Sequence, residues 1–283
     1  MENNENQRFQ IDIEEILAAK VKRKLPRFVV NFLKRRIHQD EINDCIMQAQ
    51  YPQGIGFFDE ALKYLDITYT VRGAENLPDQ AHRCIFAGNH PLGGPEALIL
   101  GSVMCKYYGE SFRVPVNNIL AHFHPLAEFF TPVNVFSSHQ SRDIGQRMAD
   151  MFNSPYQVLV YPAGKCARRE HGKITEQPWK KMFITQARKY ARDVVPMHMS
   201  GRNSRLFYNL TSLSKALGLK VNIGMFLLVD ELFKNKHKSF VITFGKPISY
   251  TTFDKSKTDN QWAEWMKGEM AKLEQGNGQE QNV

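Results

Sequence analysis

The chain opens on polar residues, and then apolar positions recur at helical spacing. Asp12 caps a run over 13–22, and Pro26 opens a second run that ends near His38. A third helix starts near Asp40, and residues 56–65 form a fourth. From Ile67 the pattern changes: short β-branched or aromatic runs at 67–71, 84–87, 113–116, 133–136, 157–161, 194–199 and 239–244 read as strands. Helical stretches at 95–108, 141–152 and 179–192 lie between them. Strands alternating with helices predict an α/β fold, a mostly parallel central sheet flanked by helices, behind a helical N-terminal segment. The expected division is 1–65 for that segment, 66–275 for the α/β domain and 276–283 for a disordered tail.

The second helix is amphipathic in an unusual way. No acid stands between Lys20 and Arg36, while Lys20, Lys22, Arg23, Lys24, Arg27, Lys34, Arg35 and Arg36 are basic. At ~100° per residue, Val21, Leu25, Phe28, Val29 and Phe32 share one face, with Lys24, Arg27, Lys34 and Arg35 opposite. A helix lying in a membrane interface has this pattern, its aromatics in the acyl boundary and its cations at anionic headgroups. The same pattern also suits a helix packed on its own domain with a solvated basic face. Lys34-Arg35-Arg36 is too short to stand as a localisation signal.

Composition narrows the class. The 283 residues are 42% hydrophobic and 23% charged, enough to bury a full core without disulfide staples. The longest apolar stretches, 97–105 and 223–229, fall short of the ~18 residues that a bilayer crossing needs. The acidic, polar start does not read as a secretory signal. Cys45, Cys84, Cys105 and Cys166 lie far apart with no Cys-x-x-Cys pair, so reduced cytosolic thiols are expected. A net charge of +8 suits an anionic partner: nucleic acid, phosphorylated substrate, acidic carrier protein or anionic membrane. No nucleic-acid-binding motif accompanies the basic patch, so no nucleic-acid partner is expected.

The candidate chemistry lies in Ala87-Gly88-Asn89-His90-Pro91-Leu92-Gly93-Gly94-Pro95-Glu96. It follows a predicted strand and precedes a predicted helix, the place where α/β proteins form ligand sites. His90 there can act as a general base, and Glu96, across the Gly-Gly turn, can orient it and stabilise its protonated form. A satisfied surface histidine beside a first-turn glutamate favoured by the helix dipole would give the same pattern.

Three ordered blocks add specificity. Gly73-Ala-Glu-Asn-Leu-Pro78 followed by Cys84-Ile-Phe-Ala-Gly-Asn-His90, then Tyr161-Pro162-Ala163-Gly164-Lys165, then Val195-Pro196-Met197 resemble the glycerolipid acyltransferase family, which acylates lysophosphatidic acid and related lysolipids. The resemblance covers roughly 67–248. Glu96 stands where that family has aspartate, one residue further from His90, and Ala163 stands where its third motif has glutamate. The second motif falls near Val133–Ser137 without an Asp-Arg pair; Arg142 is the nearest arginine. The His-Pro-Leu-Gly-Gly turn, the Tyr-Pro-Ala-Gly block and Ser200-Gly-Arg-Asn-Ser204 look like a divergent bacterial subgroup, related to O-acyltransferases of lyso-ornithine and lyso-glycine lipids.

The resemblance implies an O-acyltransferase of bacterial membrane lipid synthesis. His90 would take the proton of the acceptor hydroxyl as it attacks an acyl thioester of acyl carrier protein or coenzyme A. Glu96 would orient His90. Asn89, Gly93, Gly94, Arg142, Gly164, Lys165, Arg168, Arg169 and Arg202 would bind substrate, the cations holding the anionic end of acceptor or donor. No bound cofactor is implied; the thioester is a co-substrate. The expected location is cytoplasmic, peripheral on the inner face of the cell membrane, with an anionic membrane surface, acyl carrier protein and lysolipid as partners. A lysophosphatidic acid acyltransferase and a non-catalytic lipid- or carrier-binding homologue are the alternatives.

Other residues are set aside. His122 and His124 have metal-ligand spacing without a supporting Cys or carboxylate cluster, so no metal is expected. His198 reads as a core or substrate-lining histidine, Cys166 as a thiol beside basic residues by chance, and Trp262, Trp265 and Met266 as core contacts of a C-terminal helix.

Overall fold

The computed structural model describes residues 27–36, 38–49, 54–117, 120, 123–133, 142–216 and 223–276. Helices α1 (Arg27–Arg36), α2 (Gln39–Ala49) and α3 (Ile55–Tyr64) precede strand β1 (Thr68–Arg72). Then follow β2 (Cys84–Gly88), α4 (Gly94–Tyr108), β3 (Phe112–Asn117), β4 (Phe130–Val133), α5 (Arg142–Asn153) and β5 (Gln157–Val160). A short hairpin, β6 (Arg168–Glu170) and β7 (Lys173–Thr175), leads to α6 (Met182–Tyr190) and β8 (Asp193–Met199). The chain closes with α7 (Arg205–Ala216), α8 (Ile223–Lys234), β9 (Ser239–Phe244) and α9 (Asp259–Gly276).

Seven strands form one sheet in the order β1-β9-β8-β2-β5-β3-β4. Every neighbouring pair is parallel except β8 with β9. This is the mostly parallel α/β sheet that the alternation predicts. β2 lies at its centre and is buried on both faces, as its uninterrupted apolar run requires. Its side chains alternate: Cys84 and Phe86 join one core with Phe57, Phe58, Ile99 and Phe112. Ile85 and Ala87 join the other with Phe152, Phe183, Trp262 and Met266. Helices α3 and α4 therefore cover one face, and α5, α6 and α9 the other. Helix α3 belongs to the sheet's own core through Phe57, Phe58 and Leu62. It crosses α4 closely because Gly101 has no side chain there; a Cβ would lie 2.2 Å from the Phe58 ring.

Two expected elements differ at their ends. β4 ends at Val133, and 134–136 lie outside the described residues. Helix α6 begins after Trp179, because that residue is buried against Phe183 and its backbone N–H donates to the Glu264 carboxylate at 3.0 Å. Residues 1–10 and 13–22, Lys24 and the tail beyond Gly276 also lie outside the described residues.

Arg192 locks the lower edge of the central strands. It is fully buried, donating from Nε to Phe152 O at 2.6 Å and from Nη1 to Tyr156 O at 2.7 Å. Nη2 donates to Ser154 O. One guanidinium thus satisfies carbonyls that leave α5 and enter β5. Arg192→Met leaves them unpaired, and we expect a loss of at least ~3 kcal/mol in urea denaturation, since each such orphan costs about 1–3 kcal/mol. A midpoint within error of the wild type would show that water replaces the guanidinium without cost.

Candidate active site

The site grows from the C-terminal end of β2. Gly88 is required there because β8 runs close beside it; a Cβ would come within 2.6 Å of Met197 Cγ. Asn89 then ties the two strand ends together. Its Nδ2 donates to Met199 O at 2.9 Å, and its Oδ1 accepts from Met199 N at 2.7 Å. The amide expected at the substrate is instead consumed by the fold, which fixes where the next residue begins.

That residue, His90, is held from several sides. Its Nδ1 meets Glu96 Oε1, and Glu96 Oε2 accepts from Leu92 N at 2.9 Å. Glu96 is fully buried in the first turn of α4, where the helix dipole favours its charge. The imidazole stacks on Tyr161, with ring centroids 4.4 Å apart and planes at 15°. Its carbonyl accepts from Ala167 N at 2.9 Å, and its N–H donates to Glu176 Oε2 at 3.3 Å. Nε2 has no hydrogen-bond partner among the described residues, and the side chain remains 20% exposed. The geometry demanded of a working base and orienter is therefore present. The longer His-to-Glu spacing is absorbed by Gly93, at φ +92°, and by the extra methylene of glutamate.

Burial, and then the nearby Arg168 charge, hold the His90 pKa below its ordinary value. The ring is neutral at pH 7 and so can accept a proton. Once it has done so, the Glu96 carboxylate stabilises the imidazolium. Burial also pushes Glu176 up to about 7, which limits its pull on the ring.

The remaining predicted residues divide. Gly93 and Gly94 pack against α8: Cβ atoms there would lie 2.9 Å from Leu228 and 3.1 Å from Leu232, so the bare turn lets that helix approach. Gly164 takes φ +68° in the turn after β5, and Lys165 beside it is exposed. Arg168 turns back on its own loop, donating to Cys166 O at 2.9 Å and Ala167 O at 3.1 Å. It therefore acts near His90 through its charge. Arg169 and Arg202 line a separate basic pocket. Arg142 opens α5, and its side chain lies outside the described residues. Ala163 is 2% exposed, packed in the core beside Trp179.

Tyr161, Glu176 and Asn203 were not identifiable as His90's supports. Tyr161 stood inside a recognised block, but nothing in the sequence signals its stacking. Asn203 Nδ2 donates to Pro91 O at 3.1 Å, a contact across 112 residues of chain. His198 is buried within β8, and burial raises the Cys166 thiol to about 12, which leaves it inert. No group of three or more metal-ligating side chains occurs among the described residues; His122 and the His124 side chain lie outside them.

A parallel-sheet fold with a histidine–carboxylate pair at the end of its central strand defines a candidate for general-base catalysis on a hydroxyl. Residues 13–274 match a family described as acyltransferase, and the chain belongs to that family. It is an acyltransferase. The chain is 44% identical over 268 residues to a lyso-glycine lipid O-acyltransferase of Phocaeicola vulgatus, covering 94% of this chain and 95% of that protein. It is 43% identical over 268 residues to one of Bacteroides thetaiotaomicron, covering 94% and 98%. Among solved structures it is similar to the 1-acyl-sn-glycerophosphate acyltransferase of Thermotoga maritima, at TM-score 0.48 and 13% identity over 89% of each chain.

His90→Ala should lower the acyl-transfer rate at least ~10²-fold, the range of general-base catalysis. In the wild type, kcat/KM should hold as pH falls through 6.5, the acid limb lying lower because the ring is protonated only below its depressed pKa. An acid limb centred at or above 6.5 would show that Glu96 outweighs burial in the free enzyme.

Proposed function

We propose that this acyltransferase moves a fatty acyl group from a thioester to the hydroxyl of a lyso-amino-acid lipid, with lyso-glycine lipid as the preferred acceptor. The observation that carries the chemistry is the His90–Glu96 pair, oriented through Nδ1 with Nε2 open. The acceptor hydroxyl gives its proton to Nε2 as its oxygen attacks the thioester carbonyl. The C–O bond forms, the C–S bond breaks, and the imidazolium returns the proton to the departing sulfur. The donor is a thioester of acyl carrier protein or coenzyme A.

Two relatives at 43–44% identity, both lyso-glycine lipid O-acyltransferases, support the acceptor class. So does Ala163, whose buried methyl offers no polar contact where the glycerolipid enzymes' third motif has glutamate. Purified protein should be assayed with one donor against lyso-glycine lipid and lysophosphatidic acid. We expect kcat/KM to favour the lyso-glycine lipid, since discrimination is the ratio of those values. A preference for lysophosphatidic acid would move the enzyme to phospholipid synthesis and leave the transfer chemistry standing.

Work at the inner face of the cell membrane fits the same reading. No helix among the described residues is long and apolar enough to cross a membrane. Helix α1 exposes Arg27 and Arg35, with Lys34 half-buried, while Lys24 and the side chains of Phe28 and Phe32 lie outside the described residues. In liposome flotation, binding should rise with anionic lipid and weaken with salt. Equal binding to neutral vesicles would leave the basic residues without a role there.

A further inference from the structure

A second basic feature lies beyond Pro91. The β6–β7 hairpin, the start of α7 and the end of α8 enclose a pocket of about 410 Å³ lined by Arg169, Arg202, Arg205, Lys234, Lys238 and Glu231. The one acid in its lining, Glu231, is already satisfied. Glu231 is 2% exposed and accepts from Ser204 N and Oγ, both at 2.6 Å, and from Lys234 at 3.0 Å. Asp230, behind the lining, pairs with Lys234 at 2.5 Å and with His38 at 3.0 Å. Lys234 is thereby neutralised.

The other cations are not. Arg202 and Arg205 are exposed and make no hydrogen bond or ion pair among the described residues. Lys238 reaches only the Asn235 amide at 3.1 Å, and Arg169 only that of Asn209 at 2.5 Å. Polar atoms on the wall are also unsatisfied: Arg169 Nε and Asn203 Oδ1 are buried without partners, and Asn203 is 4% exposed. Cations crowded around one cavity repel one another unless an anion enters, and the buried Arg169 Nε–H wants an acceptor, while Asn203 Oδ1, itself an acceptor, wants a donor from another part of the same ligand. Through Asn203 Nδ2 the pocket wall is bonded to Pro91 O, one residue from the candidate base.

We propose that this pocket seats the phosphate of the donor's phosphopantetheine arm, the group shared by acyl carrier protein and coenzyme A thioesters. The assignment rests on the thioester reading above. Of the two reactants, the donor arrives with more negative charge: further phosphates in coenzyme A, or an acidic protein surface around the arm of a carrier. The solvent-facing Arg202, Arg205 and Lys238 suit either. A lysolipid carboxylate brings one charge followed by an apolar chain, whereas five cations line this pocket and only Ile174 and Tyr208 offer it an apolar or aromatic side chain.

The test compares three donors carrying one acyl chain: acyl-coenzyme A, acyl carrier protein thioester and acyl-pantetheine, which lacks the phosphate. In the Arg202→Ala/Arg205→Ala variant, KM for the two phosphate-bearing donors should rise about tenfold or more, the scale of one lost charge-assisted contact, with kcat much less affected. The rise for acyl-pantetheine should be several-fold smaller. A rise for only one phosphate-bearing donor would assign the pocket to that donor's own phosphates or carrier surface, against a shared phosphate. An equal rise for acyl-pantetheine, or a rise confined to the lysolipid KM, would overturn the proposal. A melting temperature matching the wild type guards against misfolding, and Arg205→Lys should restore part of the affinity. Calorimetry with free phosphopantetheine against pantetheine separates the two claims. Phosphate-dependent binding without acyl transfer would sink the thioester reading alone. Acyl transfer without phosphate-dependent binding would sink the pocket alone.

Discussion

The fold is organised around a carboxylate with no solvent. Glu96 has zero exposure, and a buried ion is tolerated only where hydrogen bonds and fields replace the lost water. Here the replacements are the Leu92 N–H, the His90 imidazole and the N-terminal end of α4. All three must be in place at once. That demands a tight Pro-Leu-Gly-Gly turn between β2 and α4, which puts positive φ at Gly93 and leaves a surface bare enough for Leu228 and Leu232 to close over it. Helix α8 is drawn onto the site by this constraint, and with it come Glu231 and Lys234 of the basic pocket's lining.

The same burial sets the chemistry. A histidine kept neutral by desolvation and by the Arg168 charge is ready to take a proton, and a carboxylate already in contact meets the charge that results. Arg168 is held beside His90 by its Nη1, which is tied to the loop carbonyls of Cys166 and Ala167. Glu176 adds a hydrogen bond to the His90 backbone while desolvation keeps its own charge in check near neutrality. The field at His90 is a balance of near neighbours rather than the effect of one strong partner.

Much of this was legible in the chain, and the limits have physical causes. Strand β9 was readable to the residue because 239–244 alternates cleanly between faces; β2 and β5 showed as continuous apolar runs because both their faces are covered. The β6–β7 hairpin escaped: three-residue strands of charged side chains have no hydrophobic period. Helix α8 was visible only as an apolar stretch, since a helix buried on several sides loses the polar stripe that marks its period. His90 and Glu96 were legible because local sequence joins them. The Asn89 clamp, the Tyr161 stack and the Asn203 tether bridge distant segments, and a single sequence carries no record of such contacts.

The glycines and cations show how a motif can be right in place and different in task. Gly93 and Gly94 stand in the turn that the resemblance points to, and their bareness there admits α8. Arg168 and Arg169 are adjacent in sequence, but strand alternation sends them apart. One supports the loop under His90, and the other faces the basic pocket. The His90–Glu96 pair and the basic pocket are linked through Asn203, which lines the pocket and donates to Pro91 O beside His90. Their surroundings differ: Glu96 is fully buried, whereas Arg202 and Arg205 are exposed.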